Sequence, residues 1–246
     1  MEINEEIKKI NERIIKLWEK YPEKSGKHSP LLYPLLKKGK ILFIGMNPSL
    51  TITSFNRVKR DGGFKDTEFP DFFKKENLQK NKDKLIEFEK LAKEKCSFFD
   101  KFREIDKDFE HIDLFLYRLT QQADFKKEIG LDKNKNGEII KTPNFGDFGK
   151  EQLNLASDLI QLIKPKLVVV ANAFASDIIN DNKYKEIFKV SNNQELFDKK
   201  GYDTIKINGL DVPIIFTSML TKQRALDNHT FRRLKWQIKK ITESLK

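Results

Sequence analysis

The chain has 246 residues, of which 38% are hydrophobic and 35% charged, and its formal net charge at pH 7 is +11. That length supports one sizeable core, so we expect a single domain over residues 1–246. The sequence has no run of 18 or more apolar residues and no apolar signal core, which predicts a cytoplasmic protein with no membrane contact. A single cysteine, Cys96, excludes an intramolecular disulfide and a four-cysteine metal centre, and the three histidines lack ligand spacing. We therefore expect no metal and no cofactor.

The basic charge has two explanations. Lysine and arginine side chains near phosphates release counterions and drive binding to nucleic acid. However, most of the cations are lysines, and the chain is also rich in Asn, Ile and Phe, a composition that an AT-rich genome produces by codon usage. Many lysines would then only solvate helix surfaces, so charge alone leaves both explanations open.

The first third of the chain predicts a helix, a buried strand and a long connection. Apolar residues at spacings of three and four predict an amphipathic N-terminal helix over residues 3–21. The continuous apolar run Lys40–Gly45 predicts a buried parallel strand. Residues 50–82 are polar with a phenylalanine cluster, and they form either a long functional loop or a helical excursion. A helix is expected over residues 82–102.

The rest of the chain alternates strands and helices. Strands are expected at residues 111–116, 165–171 and 212–217, helices at 148–163, 173–180 and 228–245, an edge strand at 202–207, and a polar insertion at 121–148. This alternation predicts an α/β protein, a three-layer α/β/α fold with a central, mainly parallel four-stranded sheet. In such sheets the ligand site lies beyond the carboxyl ends of the strands, which here selects the loops beginning at Gly45, Tyr117, Asn172 and Ser218.

The most specific of these loops is the run Gly45-Met46-Asn47-Pro48-Ser49. Glycine allows a tight turn directly after a strand, proline fixes the next φ angle, and an amide side chain stands between them. The purely structural interpretation is an ordinary strand-to-loop turn, in which Asn-Pro is common. The run resembles the first signature of the uracil-DNA glycosylase superfamily, in particular its mismatch-specific and single-strand-selective branches, which carry a Gly-x-Asn-Pro turn.

Three further features are similar to that family. Gly62-Gly63-Phe64 lies where the family has a Gly-x-x-Phe, about four residues later than usual. Pro165 to Ala171 with the turn at Asn172 resembles the family's third strand. Phe216 to Leu220 stands where the family has its second signature, usually His-Pro-Ser. Here Ser218 matches the serine of that signature. Phe216 or Thr217 stands at the position of the catalytic histidine, and the mismatch-specific branch lacks this histidine too.

The resemblance implies a uracil-DNA glycosylase-like fold and a DNA partner, with no cofactor and no obligate protein partner. Asn47 would position the attacking water. The residues that would contact the flipped base are Gly45, Met46, Pro48, Ser49, Phe64, Tyr117 and Asn172. Those that would contact DNA are Ser218, Leu220, Lys222, Arg224 and Arg232.

Two of these residues, and a second catalytic candidate, Asp113, have alternative roles. Leu220 is either a wedge that fills the vacated base stack or a core leucine. Arg232 either extends the DNA-binding face or solvates a helix. Asp113, inside an apolar strand, is either a general base or a structural acid bonded to Arg118 or to a helix N-terminus, since a buried carboxylate is costly unless paired.

Two functions follow. The first is base-excision repair by hydrolysis of the N-glycosidic bond of uracil or a related damaged base. The second is a catalytically weak or inactive nucleic-acid-binding protein on the same fold. A nucleotide-binding enzyme is disfavoured, because neither Gly-x-Gly-x-x-Gly nor a Gly-Lys-Ser/Thr phosphate loop occurs.

Overall fold

The structure is a computed structural model that describes residues 3–25, 27–48, 51–62, 64, 68–119, 145–221 and 225–245. Its helices are α1 (Ile3–Lys20), α2 (Ile52–Gly62), α3 (Leu78–Lys95), α4 (Asp100–Ile105), α5 (Asp147–Ile163), α6 (Ala173–Asn180), α7 (Lys185–Phe188), α8 (Gln194–Lys200) and α9 (Asn228–Ser244). Its strands are β1 (Ile41–Gly45), β2 (Glu110–Asp113), β3 (Leu167–Ala171), β4 (Val190–Ser191), β5 (Asp203–Ile207) and β6 (Leu210–Thr217). No helix among these residues is long and apolar enough to cross a membrane.

The chain divides into two compact units. The first contains Met1–Leu36, Asn47–Ser97 and Phe115–Leu155; the second contains Lys37–Met46, Phe98–Leu114 and Ala156–Lys246. Of the 121–148 insertion, only residues 145–148 are described.

Helix α1 of the first unit forms where the apolar spacing predicts it. Its buried residues include Ile7, Ile14 and Trp18, which recur on one face. The indole N–H of Trp18 donates to the carbonyl of His28 at 3.1 Å, so the loop after α1 is held against the helix. The predicted N-terminal helix is thus confirmed, ending one residue earlier than expected.

The described residues of the connection over residues 50–82 form a helical excursion, the second of the two alternatives. Helix α2 places Phe55 against Phe72, Phe73 and Phe88, with ring centroids 5.8 to 6.0 Å apart. Phe55 and Phe73 are almost completely buried. The phenylalanine cluster is therefore part of the core of the first unit, where large aromatic side chains bury much apolar area.

The second unit contains a six-stranded sheet with the strand order β2-β1-β3-β6-β5-β4. The first four strands in this order, β2, β1, β3 and β6, run parallel to one another, as the sequence predicts. The expectation of a four-stranded sheet was wrong, because β5 and β4 extend it in antiparallel fashion and make it mixed. The reversal occurs at Asn208 and Gly209, both with positive φ angles, 50° and 84°, as in a two-residue hairpin turn.

Strand β3 is the centre of this sheet. Its residues from Leu167 to Val170 have no exposed surface, so both faces of the strand are covered, as its continuous apolar run predicts. One face packs in a core cluster that includes Phe43, Phe102 and the buried residues of α9. Helix α6 contacts β3 and β6. Helices and sheet thus form an α/β arrangement around a fully buried strand.

Candidate functional site

In the second unit, Gly45 and Asp113 lie side by side at the carboxyl ends of β1 and β2. Asp113 is 5% exposed. A Cβ atom on Gly45 would come within 2.2 Å of Asp113 Oδ1 and 3.1 Å of His111 Nε2. The carboxylate therefore occupies the space that the side chain of any other residue at position 45 would need. Glycine is thus favoured here on steric grounds as well as for the turn.

His111 is a residue that the sequence analysis missed. It lies two residues before Asp113 on the same face of β2, with Nε2 4.0 Å from Asp113 Oδ1. Its ring packs against Phe98, Phe99 and Phe102 at centroid distances of 5.1 to 6.3 Å. Alternate residues of a strand share a face, so the spacing of two was the available signal. An imidazole beside a buried carboxylate can take part in general acid–base chemistry.

In the first unit, the side chain of Asn47 is fixed by backbone carbonyls. Its Nδ2 donates to the carbonyls of Leu119 at 2.7 Å and Tyr117 at 3.1 Å. Both amide hydrogens are thereby used, and the direction of Oδ1 is set by the planar amide. An amide oxygen can accept a hydrogen bond from water but is too weak a base to deprotonate it. The two hydrogen bonds also tie the turn at Asn47 to the backbone at Tyr117 and Leu119.

Tyr117 provides the carbonyl that holds Asn47, while its ring lies in the core. The side chain is 4% exposed and packs against Trp18 at 6.1 Å and Phe148 at 6.4 Å between ring centroids. Its aromatic ring therefore stabilises the first unit, and its backbone is the part placed beside the candidate residue.

Phe64 and Asn172 also have structural contacts. The ring of Phe64 is buried against Phe72 and Phe88. The side-chain oxygen of Asn172 accepts a hydrogen bond from the backbone N–H of Ala175 at 3.0 Å, which makes it the N-cap of α6. Met46 and Pro48 are buried as well.

Arg118 lies deep in the first unit, and its carboxylate partner is Glu89 at 2.6 Å. The same guanidinium donates to the carbonyls of Ser29 and Pro30 and lies over the ring of Phe73. These contacts satisfy the charge within the first unit. The pairing of Arg118 with Asp113 that the sequence left open is therefore replaced by a pair with Glu89.

The residues expected at DNA have different placements. Ser218 is exposed directly after β6, and Arg232 is exposed on α9. Leu220 is 3% exposed within the core cluster of the second unit, so the structure places it as a core leucine rather than a wedge. Ser49, Lys222 and Arg224 lie outside the described residues.

No group of three or more His, Cys, Asp or Glu side chains among the described residues is placed to hold a metal ion. A scan against models of protein families finds no match to the chain, and a search of curated proteins finds none either.

Proposed function

We propose that this protein is a DNA glycosylase that hydrolyses the N-glycosidic bond of uracil or a related damaged base. The observation that carries the proposal is the fixed amide of Asn47, whose two donors are held by the carbonyls of Tyr117 and Leu119. The Gly-x-Asn-Pro turn supplies the resemblance, and the lack of space for a side chain at Gly45 supports it.

The chemistry begins with extrusion of the target nucleotide from the base stack, because the glycosidic bond inside a duplex is out of reach. Asn47 Oδ1 then accepts a hydrogen bond from a water and positions its oxygen for attack on C1′. As the C1′–N bond breaks, its electron pair leaves with the base, the water oxygen adds to C1′, and the proton that the water releases passes to the departing anionic base. Positioning of this kind accounts for large rate factors without a strong base.

Asp113 has two possible contributions. It is either a general base or a structural acid whose carboxylate fills the space that a Cβ atom on Gly45 would need. Asp113→Asn separates the two because it keeps the shape and removes the charge. If Asp113 is the proton acceptor, the variant should lose its activity, and the acidic limb of its pH–activity profile should disappear. If Asp113 is a positioning residue, the variant should keep both.

The alternative function, nucleic-acid binding without hydrolysis, is favoured by one observation. Phe64 and Tyr117 have buried rings, and Asn172 caps a helix, so three residues expected to hold the base stabilise the fold instead. Of the described residues of the turn, Met46 and Asn47 would then provide backbone N–H groups that can contact a base carbonyl, since Pro48 has none.

The test uses oligonucleotides carrying one uracil, single-stranded, opposite guanine or opposite adenine. We expect release of free uracil and an alkali-labile strand from at least one of them. Salt-sensitive binding to all three without uracil release would select the binding function. The same protein with Asn47→Ala controls for contaminating glycosylase, whose activity would survive the substitution.

A further inference from the structure

Helix α9 presents a face to solvent of which the proposed function uses only Arg232, as an expected DNA contact. Its N-cap is Asp227, which accepts hydrogen bonds from the backbone of His229 and Thr230 at 2.8 and 3.0 Å. The hydroxyl and backbone N–H of Thr230 hold the pKa of this carboxyl below its ordinary value. Phe231, Leu234, Ile238 and Ile241 are buried in the core cluster, and their packing fixes which face of the helix remains outside.

Trp236 lies on that outer face and is 63% exposed. Its helical neighbours at positions i−4, i−3, i+3 and i+4 are Arg232, Arg233, Lys239 and Lys240, all of them exposed. Residues at these spacings are adjacent on a helix surface. One large aromatic ring is thus surrounded on its own helix by four cations. We call these five residues the tryptophan patch.

The tryptophan patch borders a groove of about 440 Å³ that is also lined by Lys200 and Gly201. The side-chain amide of Gln237 donates to the carbonyl of Gly201, which ties the end of α8 to α9. Within the described part of the chain, neither Arg232 nor Arg233 has a carboxylate within ion-pair distance. Lys239 and Lys240 share Glu243 at 3.8 and 3.3 Å. The patch therefore keeps a positive charge.

We propose that the tryptophan patch binds single-stranded nucleic acid, with a base stacked on Trp236 and phosphates at Arg232 and Arg233. Every base has a π-face, and a stacking ring beside cations is the common device for binding single strands without sequence preference. An apolar protein partner would need further exposed apolar side chains around Trp236, but its four neighbours on the helix are cations. The inference goes beyond the proposed function and does not depend on it.

Intrinsic fluorescence tests this directly, because the chain has two tryptophans and the other, Trp18, is 1% exposed. We expect an unmodified oligothymidylate of about ten nucleotides to quench Trp236, since single-strand sites span roughly 4–16 nucleotides. Trp236→Ala should bind a dye-labelled oligothymidylate about tenfold more weakly, as expected for loss of one stacked base.

Charge is tested with Arg233→Gln, which should lower the slope of log K against log salt by about 0.7, the value for one phosphate of a single strand. The matched control is Lys8→Gln, which removes one exposed charge from α1 and should leave affinity and slope unchanged. Circular dichroism melting of each variant identifies any loss of folding.

Wild-type affinity in Trp236→Ala, or an equal effect of Lys8→Gln and Arg233→Gln, would overturn the proposal. A Trp236 signal that responds to vesicles of phosphatidylcholine with phosphatidylserine but not to oligothymidylate would overturn it in favour of a membrane surface. Because the probe contains no uracil and Asn47→Ala retains the patch, that variant should bind normally. Failure of the glycosylase proposal and failure of this one are therefore distinguishable.

Discussion

At the scale of single residues, the contact between Gly45 and Asp113 is the tightest constraint at the carboxyl edge of the sheet. We predict that Gly45→Ala destabilises the protein by about 1–3 kcal/mol, the usual cost of an overpacked buried position. The reason is the 2.2 Å approach of the new Cβ to Asp113 Oδ1. Denaturant unfolding measures the change.

The matched control is Gly146→Ala, where a Cβ would meet nothing within 4 Å, so stability should stay the same or rise slightly. A double-mutant cycle with Asp113→Ala should show that the two sites are coupled, because removing the carboxylate frees the space for the Cβ. Equal stability of the Gly45 and Gly146 variants would contradict this account of the glycine.

Asn172 allows helix capping to be separated from base recognition. We predict that Asn172→Ala lowers the free energy of unfolding by about 1 kcal/mol, whereas Asn172→Asp retains most of it, because aspartate also caps helices well. If the side chain only caps α6, Asn172→Asp should release uracil at the wild-type rate. Stable protein with lost activity in that variant would instead assign Asn172 to the base.

The residue scale also shows where sequence reasoning stopped. The distinctive composition of the turn singles out Gly45 and Asn47, and their role at a site stays a prediction. Phe64, Tyr117 and Leu220 were assigned to the base or the DNA, yet an apolar side chain beside a pocket and one inside a core have the same sequence signature. Only tertiary packing tells them apart. His111 was missed because the histidines were compared for metal-ligand spacing and not for a shared strand face.

At the scale of elements, the loop between α1 and β1 contains a pH-dependent group. Nδ1 of His28 is buried and has no hydrogen-bond partner among the residues that the structure describes. Burial lowers the pKa of His28 below its ordinary value of 6.5, and the charges of Arg118 and Lys27 lower it further. As pH falls through 6.5, the unfolded state takes up a proton at His28 before the folded state does. The contribution of His28 to the free energy of unfolding is therefore present above pH 6.5 and is lost as pH falls below it.

We predict that the free energy of unfolding of the wild-type protein falls between pH 7.5 and pH 5.5, and that His28→Gln flattens this dependence. His229→Gln, which removes an exposed histidine on α9, is the control and should keep the wild-type profile. The measurement is urea unfolding at a series of pH values. An unchanged profile in His28→Gln would contradict the assignment.

Helices and strands with a clear apolar pattern were predicted well, whereas a very short strand and the direction of a strand were predicted poorly. Helices α1 and α6 and strands β1 and β3 follow from apolar spacing and continuous apolar runs. The sixth strand of the sheet, β4, has only two residues and thus no period to read. The direction of β5 depends on the left-handed backbone at Asn208 and Gly209, which the sequence marked as a turn. Its antiparallel pairing with β6 follows from that two-residue turn.

At the scale of the whole molecule, the charge of +11 has two parts. Many lysines pair with acidic residues one turn away on the same helix, as Lys9 does with Glu6 and Lys199 with Glu195, which fits the explanation of solvated helix surfaces. Such exposed pairs contribute little to stability. Arg232 and Arg233, in contrast, have no carboxylate within ion-pair distance among the described residues. The nucleic-acid explanation therefore depends on a local patch rather than on the total charge.

The central claim is that Asn47 positions the water that attacks the sugar. The most direct measurement is the single-turnover rate of uracil release, with protein in excess over the oligonucleotide, for wild type and Asn47→Ala. We predict a loss of about 10²-fold or more in the variant, since misplacing a reacting group costs at least that much, with binding of the oligonucleotide retained. Uracil release by a folded Asn47→Ala protein at the wild-type rate would contradict the claim, and would limit Asn47 to holding the backbone at Tyr117 and Leu119.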